Sequence, residues 1–441
     1  MANLDRRRFL QISALAAAGG ALSACGGGTG AAAGGAGAGT ITVWSWQGPA
    51  AMMKQLVPAF EKLFPAIKVD VQDIGNPAIW DKITTGLAAG GQGLADVLHI
   101  GVDYLPAYVE KFPDGLADLV PLGADRHKAA FARGMWETVS RDGKVYALPW
   151  EANSAGFYYR ADLFEKAGVD VEALQTWDEV IEAGVKLKEK TGVQLLGIDK
   201  PATQADSANL FQMLLQLQDS FYFDMQGNIT LDTPQAVTAL TIIKKLNDAG
   251  LVADMAGGWN TMISSIKKGS VAVQAMPTWF GGIIEETVPA EKGRWKVRLP
   301  PAVTAGGKVS ATVNSTHLAV AGTSKDKAAA YAFAEFVLTR PENQVTIYKG
   351  KGIAPALMKA YDDPVFHQAS EFFSGQKKGE VFLEALSKPS FVTNYSADYP
   401  RALKAVTDAQ SKVLLKGADP AAVLKEAADL VGQQTGRKVL R

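Results

Sequence analysis

Apolar and polar residues follow two spacings along this chain, one typical of strands and the other of helices. The run ITVWSW, Ile41 to Trp46, is rich in β-branched and aromatic residues, which predicts a strand. Apolar residues then recur at helical spacing as far as Phe64, and Pro65 ends the predicted helix. AIKVDV, Ala66 to Val71, predicts the next strand. Strand, helix and strand in this order predict a right-handed parallel crossover, and therefore an α/β layer fold.

The same alternation continues through the next part of the chain. A helix is predicted over Trp80 to Ala89, a strand over DVLHIG, Asp96 to Gly101, and a short helix from Asp103. Beyond Gly143 the sequence KVYALPWEANSAGFYYRADLF contains two β-rich runs with no helix between them. We expect the chain to pass from one lobe to another at this break.

A second α/β region follows the break. Thr176 and Glu179 form a predicted capping box, in which each side chain bonds the other residue's exposed amide at a helix start. Thr233-Pro234 opens another helix that ends near Gly250, and THLAVAG from Thr316 predicts a strand before a helix that begins at Ser324. Because single cores stop growing near 250 to 300 residues, a chain of 441 residues suits two lobes with a cleft between them.

The first residues have the layout of an export signal. A basic cluster, DRRRFLQ, precedes a short apolar run that ends in LSAC, where Cys25 is the only cysteine. The cluster resembles a twin-arginine signal, and LSAC resembles the lipobox of bacterial lipoproteins. We therefore expect a signal peptide over residues 1–24 and a lipidated Cys25 with a flexible Gly/Ala linker over residues 25–39. A chance cysteine in a poorly ordered terminus is the alternative.

Composition narrows the function. The 45 basic and 45 acidic residues give no net charge, so nothing indicates a nucleic-acid partner or a polybasic membrane surface. After Cys25 no cysteine remains for disulfides, and the four histidines lack metal-ligand spacing. We find no Gly-x-Ser-x-Gly elbow and no phosphate loop. These observations favour a binding protein with no cofactor and no metal over an enzyme. A glycosidase or lyase stays open, because sequence does not give the separation of Asp103 and Glu151.

Candidate binding residues come where predicted strands end. In open α/β sheets ligands lie beyond the carboxyl ends of the strands. The polar and aromatic residues that follow strands in this chain are Trp46, Gln47, Asp103, Tyr104, Glu151, Asn153 and Trp279. Carboxylates and amides bind hydroxyls, and aromatic rings pack on the C–H face of a sugar, so the set suits a carbohydrate. Asp103 has an alternative role as a helix cap.

The short motifs of this chain are more specific in combination and in order than any one of them is alone. The chain contains, in order, ITVWSWQG, FEKLFP, ADVLHIGVDYLPAY, GKVYALPWEANSAGFYYRADLFEKAGV, TWDEVIEAG, SVAVQAMPTWFGG and THLAVAGTSKDKAAAYAFAEFVLT. This series resembles the extracellular solute-binding proteins, family 1, of carbohydrate ABC importers, which include maltose-binding proteins. The resemblance implies a type II periplasmic-binding-protein fold with two lobes, each a mixed sheet flanked by helices, joined by a hinge around a cleft. The implied lobes are residues 40–152 with 311–353, and residues 153–310 with 354–441.

The resemblance also implies roles for single residues. Glu151 matches the family's ligand-contacting hinge segment, while Trp279 and Tyr399 match aromatic residues that stack on sugar; packing on a helix face is the alternative for Tyr399. Asn314 lies in TVNST, where many relatives have a glycine pair, and its side chain either bonds the sugar or narrows the site.

The expected partners follow from the same resemblance. They are a mono- or oligosaccharide and an ABC permease, with its transmembrane subunits and its ATPase. The protein would act as an exported monomer whose only membrane contact is its lipid, on the outer face of the cytoplasmic membrane. Within the same fold, a polyamine or an anion is the alternative ligand.

Overall fold

The computed structural model describes residues 38–388 and 391–441. The predicted signal peptide, Cys25 and the linker as far as residue 37 lie outside the described residues. Within the described part of the chain, no helix is both long enough and apolar enough to cross a bilayer.

Strands and helices alternate through the described residues. The strands are β1 Gly39–Ser45, β2 Ile67–Asp73, β3 Val97–Gly101, β4 Ser140–Arg141, β5 Lys144–Val145, β6 Ala147–Pro149, β7 Ala155–Arg160, β8 Leu196–Ile198, β9 Val252–Asp254, β10 Val273–Pro277, β11 Trp295–Arg298 and β12 Thr316–Val320. The α-helices are α1 Gln47–Leu63, α2 Ala78–Ala88, α3 Leu105–Lys111, α4 Arg133–Val139, α5 Ala161–Lys166, α6 Trp177–Thr191, α7 Asn209–Gln216, α8 Pro234–Asp248, α9 Trp259–Lys268, α10 Phe280–Thr287, α11 Lys327–Thr339, α12 Pro341–Lys351, α13 Lys378–Ser387, α14 Tyr399–Lys416 and α15 Pro420–Thr435.

The first lobe is built on a five-stranded sheet in the order β2-β1-β3-β12-β6. Strand β1 pairs in parallel with both β2 and β3, as the predicted crossover requires, and β12 runs antiparallel to its two neighbours. Helices α1, α11 and α12 bury apolar residues in the same core, where Phe60 packs on Phe333 and Phe336. The carboxyl ends of β1 and β3 therefore lie side by side at one edge of this sheet.

The second lobe is built on an antiparallel sheet in the order β10-β7-β11, with the parallel pair β8 and β9 beside it. Its core collects residues from α6, α7, α8, α14 and α15 around large side chains such as Phe157 and Trp177. Because apolar residues from distant helices share this core, the C-terminal helices belong to the second lobe.

Within residues 38–388 and 391–441, the chain passes three times between the two sheets and the cores that cover them. Strand β6 belongs to the first sheet and β7 to the second, while β12 returns to the first sheet after β11. After α12 the chain reaches the second core again at α14. These passages support, as a proposal, two lobes that are each built from separate segments. Ala311 packs in the second core and Leu357 in the first, so the two cores differ by a few residues from the predicted limits.

Local sequence signals explain several element ends. The capping box is confirmed: the Glu179 amide donates to Thr176 Oγ1 at 3.3 Å, and the Thr176 amide donates to Glu179 Oε2 at 2.9 Å. Helix α11 begins at Lys327 rather than at Ser324, because the carboxylate of Asp326 caps it by accepting from the Ala329 amide. A side-chain cap thus fixes the start of the helix more closely than the apolar pattern does.

Candidate functional site

Three half-buried aromatic rings form a wall at the carboxyl edge of the first sheet. Trp46 follows β1, Tyr104 follows β3, and Trp80 comes from α2. Trp80 meets Trp46 edge-on at a centroid distance of 5.2 Å and stacks on Tyr104 at 4.8 Å. The structure thus links two residues predicted for the site through Trp80, which the sequence analysis did not select. We call Trp46, Trp80 and Tyr104 the aromatic wall.

His99 lies beneath this wall and is completely buried. Trp46 stacks on its imidazole at a centroid distance of 4.2 Å. The Nδ1 atom lies 2.9 Å from the Ser45 hydroxyl, and Nε2 lies 2.8 Å from Oγ1 of Thr316. Burial lowers the pKa of His99 well below its usual value, so the ring is neutral. Trp46 of the aromatic wall therefore packs on a fixed, uncharged imidazole.

Glu151 lies where the chain first leaves the first sheet, and it is bound to the same network. The Thr316 hydroxyl donates to Glu151 Oε1 at 2.7 Å. Because the only hydroxyl proton of Thr316 is donated to Glu151, Thr316 Oγ1 can only accept from His99 Nε2–H. The other ring nitrogen, Nδ1, then carries no proton and accepts from the Ser45 hydroxyl. Burial raises the pKa of Glu151 to about 7, against the opposing hydrogen bonds from Thr316 and Asn153. A continuous chain of hydrogen bonds thus joins β1 to the crossing segment.

Asn153 ties this crossing segment to two other loops. Its Nδ2 donates to the Asn314 carbonyl at 2.9 Å, and its Oδ1 accepts from the Thr278 hydroxyl at 3.2 Å. Asn153 is fully buried, whereas Asn314 is exposed and has a φ of 55°. Asparagine is among the few residues that tolerate this left-handed conformation, which explains why this position accepts an asparagine.

Asp103 is half-buried beside the aromatic wall, and burial raises the pKa of its carboxyl to about 6. The alternative role of a helix cap is not supported, because α3 begins after Tyr104 and has no side-chain cap. Burial raises the pKa of Tyr395, and the nearby Asp103 carboxylate raises it further. Because Tyr395 packs in the second core, Asp103 lies within electrostatic range of the second lobe.

In the part of the chain that the structure describes, two other predicted residues make no hydrogen bond to this cluster, although burial and, to a smaller extent, the nearby tyrosines and the Asp103 carboxylate raise the pKa of Tyr399. Gln47 is exposed at the start of α1, where its backbone amide donates to Asp73 Oδ1 at 3.0 Å. Tyr399 is buried at the start of α14; its hydroxyl accepts from Gln212 Nε2 at 2.8 Å, and its ring stacks on Tyr222. Within residues 38–388 and 391–441, neither side chain bonds to Glu151 or to the aromatic wall, so their roles stay predictions.

Trp279 provides an aromatic surface on the second lobe. It is half-buried directly before α10, and its ring centroid lies 6.0 Å from that of Trp259. Trp259 begins α9 with 37% of its surface exposed, and the sequence analysis did not select it. The sequence does contain a signal for Trp259: it is a large aromatic residue that begins a helix five residues after the end of β9.

The described residues combine half-buried aromatic rings on both lobes with two carboxyls of raised pKa. Rings pack on C–H faces, while carboxyls, amides and hydroxyls bind hydroxyl groups. Across the described ranges, no group of three His, Cys, Asp or Glu side chains is placed to hold a metal ion. The arrangement suits an uncharged, hydroxyl-rich ligand.

Comparisons with known proteins agree with this arrangement. The family model for bacterial extracellular solute-binding proteins matches residues 43–344. The chain is 26% identical to the lactose-binding protein of Rhizobium radiobacter, over 90% of this chain and 93% of that protein. It is also 26% identical to the arabinooligosaccharide-binding protein of Bacillus subtilis (strain 168), over 71% of this chain and 72% of that protein.

Solved structures of binding proteins match the fold of this chain. An ABC transporter associated binding protein from B. animalis subsp. lactis Bl-04, in complex with β-1,6-galactobiose, matches with a TM-score of 0.75 and 25% identity over 92% of this chain and all (100%) of that chain. The sugar-binding protein MalE from Xanthomonas citri matches with a TM-score of 0.76 and 21% identity over 90% of this chain and 97% of that chain. The predicted α/β fold of two lobes is confirmed.

Proposed function

Because this chain belongs to the bacterial extracellular solute-binding protein family, we propose that it binds a carbohydrate between its lobes and delivers it to an ABC permease. The observation that carries the proposal is the aromatic wall, with Asp103 beside it and Glu151 held beneath it through His99. Relatives named for lactose and arabino-oligosaccharide binding support the same class of ligand.

The proposed mechanism is capture by closure. Trp46, Trp80 and Tyr104 would pack on the sugar from the first lobe, and Trp279 from the second. A ligand that touches both lobes favours the closed state by the difference between its affinities for the closed and open states. The permease with its ATPase would then recognise the closed form. Asn153 acts here as a positioning residue, since its amide holds the crossing segment against Asn314 and Thr278.

We propose a role in binding without catalysis. Raised pKa values at Asp103 and Glu151 also suit an acid catalyst, so the test is direct. Overnight incubation with glycosides should release no reducing ends, and turnover would replace the binding proposal with a glycosidase.

Export and anchoring complete the proposal. Twin-arginine export, cleavage before Cys25 and lipidation of its thiol would hold a monomer at the outer face of the cytoplasmic membrane. Cys25→Ser should move the protein from the membrane fraction to the soluble fraction, and the diacylglyceryl mass should be lost from the N-terminal peptide. A variant that stays with the membrane would overturn the lipid anchor.

The ligand class is tested by thermal unfolding of residues 38–441, which contain both hydrophobic cores. The panel is lactose, β-1,6-galactobiose, arabino-oligosaccharides and maltose, with spermidine and phosphate as the charged alternatives. Ligand at 100 times its Kd stabilises the native state by about 2.7 kcal/mol, enough to shift the transition by several degrees. A shift from a sugar supports the proposal. A shift from spermidine or phosphate alone overturns the carbohydrate and leaves the fold unchanged.

A further inference from the structure

The second lobe contains a cavity of about 90 Å³ whose lining is partly polar. It runs along β8 and β10 and lies beside the start of α9. Its apolar lining comes from Trp259, Met255, Met262 and Met276, and its polar lining includes Asp199, Ser207 and Gln274. We call this space the second-lobe cavity.

Three polar side chains that line this cavity each have one atom without a hydrogen-bond partner in the described part of the protein. Asp199, Ser207 and Gln274 are only 5%, 7% and 6% exposed. Asp199 Oδ1, Ser207 Oγ and Gln274 Nε2 are all buried without a hydrogen-bond partner among the described residues. Most buried polar atoms in proteins are paired, because leaving them unpaired is costly. Three such atoms on residues that line one cavity indicate a site for a polar group.

The arrangement of Asp199 shows that its free oxygen is held in place. Its other oxygen, Oδ2, accepts from the Thr203 hydroxyl at 2.6 Å and from the Gln204 amide at 3.1 Å. The carboxylate therefore has a fixed orientation, with Oδ1 left for another donor. This preorganisation lowers the entropy lost when a ligand binds.

The chemistry of the three atoms selects among ligands. Asp199 Oδ1 only accepts, Gln274 Nε2 only donates, and the Ser207 hydroxyl does either. An ammonium group would satisfy Asp199 and leave Gln274 without an acceptor, and an anion would meet the negative charge of Asp199. A hydroxyl both donates and accepts, so neighbouring hydroxyls satisfy all three.

We propose that the second-lobe cavity is a subsite that holds two neighbouring hydroxyls of a sugar, with Trp259 and the methionines against its C–H groups. The subsite rests on the proposed function, because it assumes a carbohydrate ligand. It adds hydrogen-bond selection on the second lobe to the aromatic contacts of the first lobe. Its residues are specificity-determining, because they choose between sugars that differ in the position of their hydroxyls.

The test is calorimetric titration of residues 38–441 with lactose, β-1,6-galactobiose, arabino-oligosaccharides and spermidine. Gln274→Leu keeps the size of the side chain and removes the donor, and Ser207→Ala is a smaller change in case Gln274→Leu fails to fold. Gln344→Leu is the matched control, since Gln344 is a buried glutamine of the first lobe whose Nε2 donates to the Val337 carbonyl. We expect sugar binding to weaken about 10-fold in Gln274→Leu and to stay unchanged in Gln344→Leu.

The outcomes separate the subsite from the proposed function. A sugar that binds the wild type and both cavity variants equally well overturns the subsite and leaves the proposed function in place. If no sugar binds the wild type, both proposals fail together. If only spermidine binds, and Asp199→Asn abolishes its binding, the cavity is a cation site and the hydroxyl proposal is overturned.

Discussion

Trp46 lies flat against His99, with ring centroids 4.2 Å apart, and His99 is itself fixed by hydroxyls on two different strands. One of these hydroxyls, that of Thr316, also donates to Glu151. The ring proposed to contact sugar and the carboxyl at the chain crossing are therefore parts of one buried network. We expect a change at Glu151 to affect the position of the Trp46 ring, because the residues that join them, His99 and Thr316, are buried.

Thr316→Val tests that network. Valine keeps the shape of threonine, but it leaves Glu151 without its donor and His99 Nε2–H without its acceptor. Each unpaired buried group costs roughly 1–3 kcal/mol, so the free energy of unfolding should fall by about 2–6 kcal/mol in urea titrations. Thr346→Val is the control, since the Thr346 hydroxyl donates to the Glu342 carbonyl on an exposed helix face. If the free energy of unfolding falls by the same amount in Thr316→Val and Thr346→Val, the hydrogen-bond network adds no stability.

Glu151→Gln should change how stability depends on pH. Burial raises the pKa of Glu151 from 4.5 to about 7, so between these values the native state holds a proton that the unfolded state has released. Native stability therefore falls as pH rises through this window. Between pH 4 and pH 8 the free energy of unfolding of the variant should rise by about 3 kcal/mol relative to that of the wild type. Any pH-independent effect of the substitution cancels between the two measurements, so a constant difference would contradict a raised pKa.

Trp279→Ala should weaken sugar binding strongly. If Trp279 is a central stacking residue, its loss costs roughly 2–4 kcal/mol, which corresponds to about 30-fold to 700-fold in Kd. The affinity is measured by calorimetry with whichever panel sugar stabilises the wild type. Trp136→Phe is the control, because Trp136 is buried against Phe131 in the first core and should affect stability without affecting affinity. An unchanged Kd in Trp279→Ala would make Trp279 a packing residue.

Trp80→Ala should weaken sugar binding by about 10-fold, because it removes a contact surface and the ring against which Tyr104 stacks. Trp80→Phe keeps an aromatic face and should retain most of the affinity. The Kd of each of the two variants is measured by calorimetry, and the melting temperature of each variant checks that it is folded. If alanine and phenylalanine variants bind equally well, the wall does not contact the ligand through Trp80.

The fold was predictable because its signals are local. The parallel pairing of β1 and β2, the capping box at Thr176 and the start of α8 at Pro234 each depend on a few neighbouring residues, and the structure confirms them. Trp46 and Tyr104 were selected for the same reason, since each follows a strand directly.

The rest of the site depends on contacts between distant segments. His99 and Thr316 are 217 positions apart, and only the pairing of β3 with β12 brings them together. Asp199 and Gln274 meet at one cavity because β8 and β10 lie side by side. No spacing in the sequence reveals such contacts. Asn314 is a third case, because the sequence left open whether its side chain bonds the sugar or narrows the site. The structure gives it a left-handed backbone and an exposed side chain, and its role stays a prediction.

The three passages between the sheets have a consequence for cleavage of the chain. A protease that cuts one connecting segment leaves the two lobes joined by the other two, so a single nick frees neither half. Each lobe also buries residues from segments on both sides of such a cut, as Phe60 with Phe333 illustrates in the first core. A nicked molecule should therefore migrate as one particle on gel filtration and as two fragments on a denaturing gel.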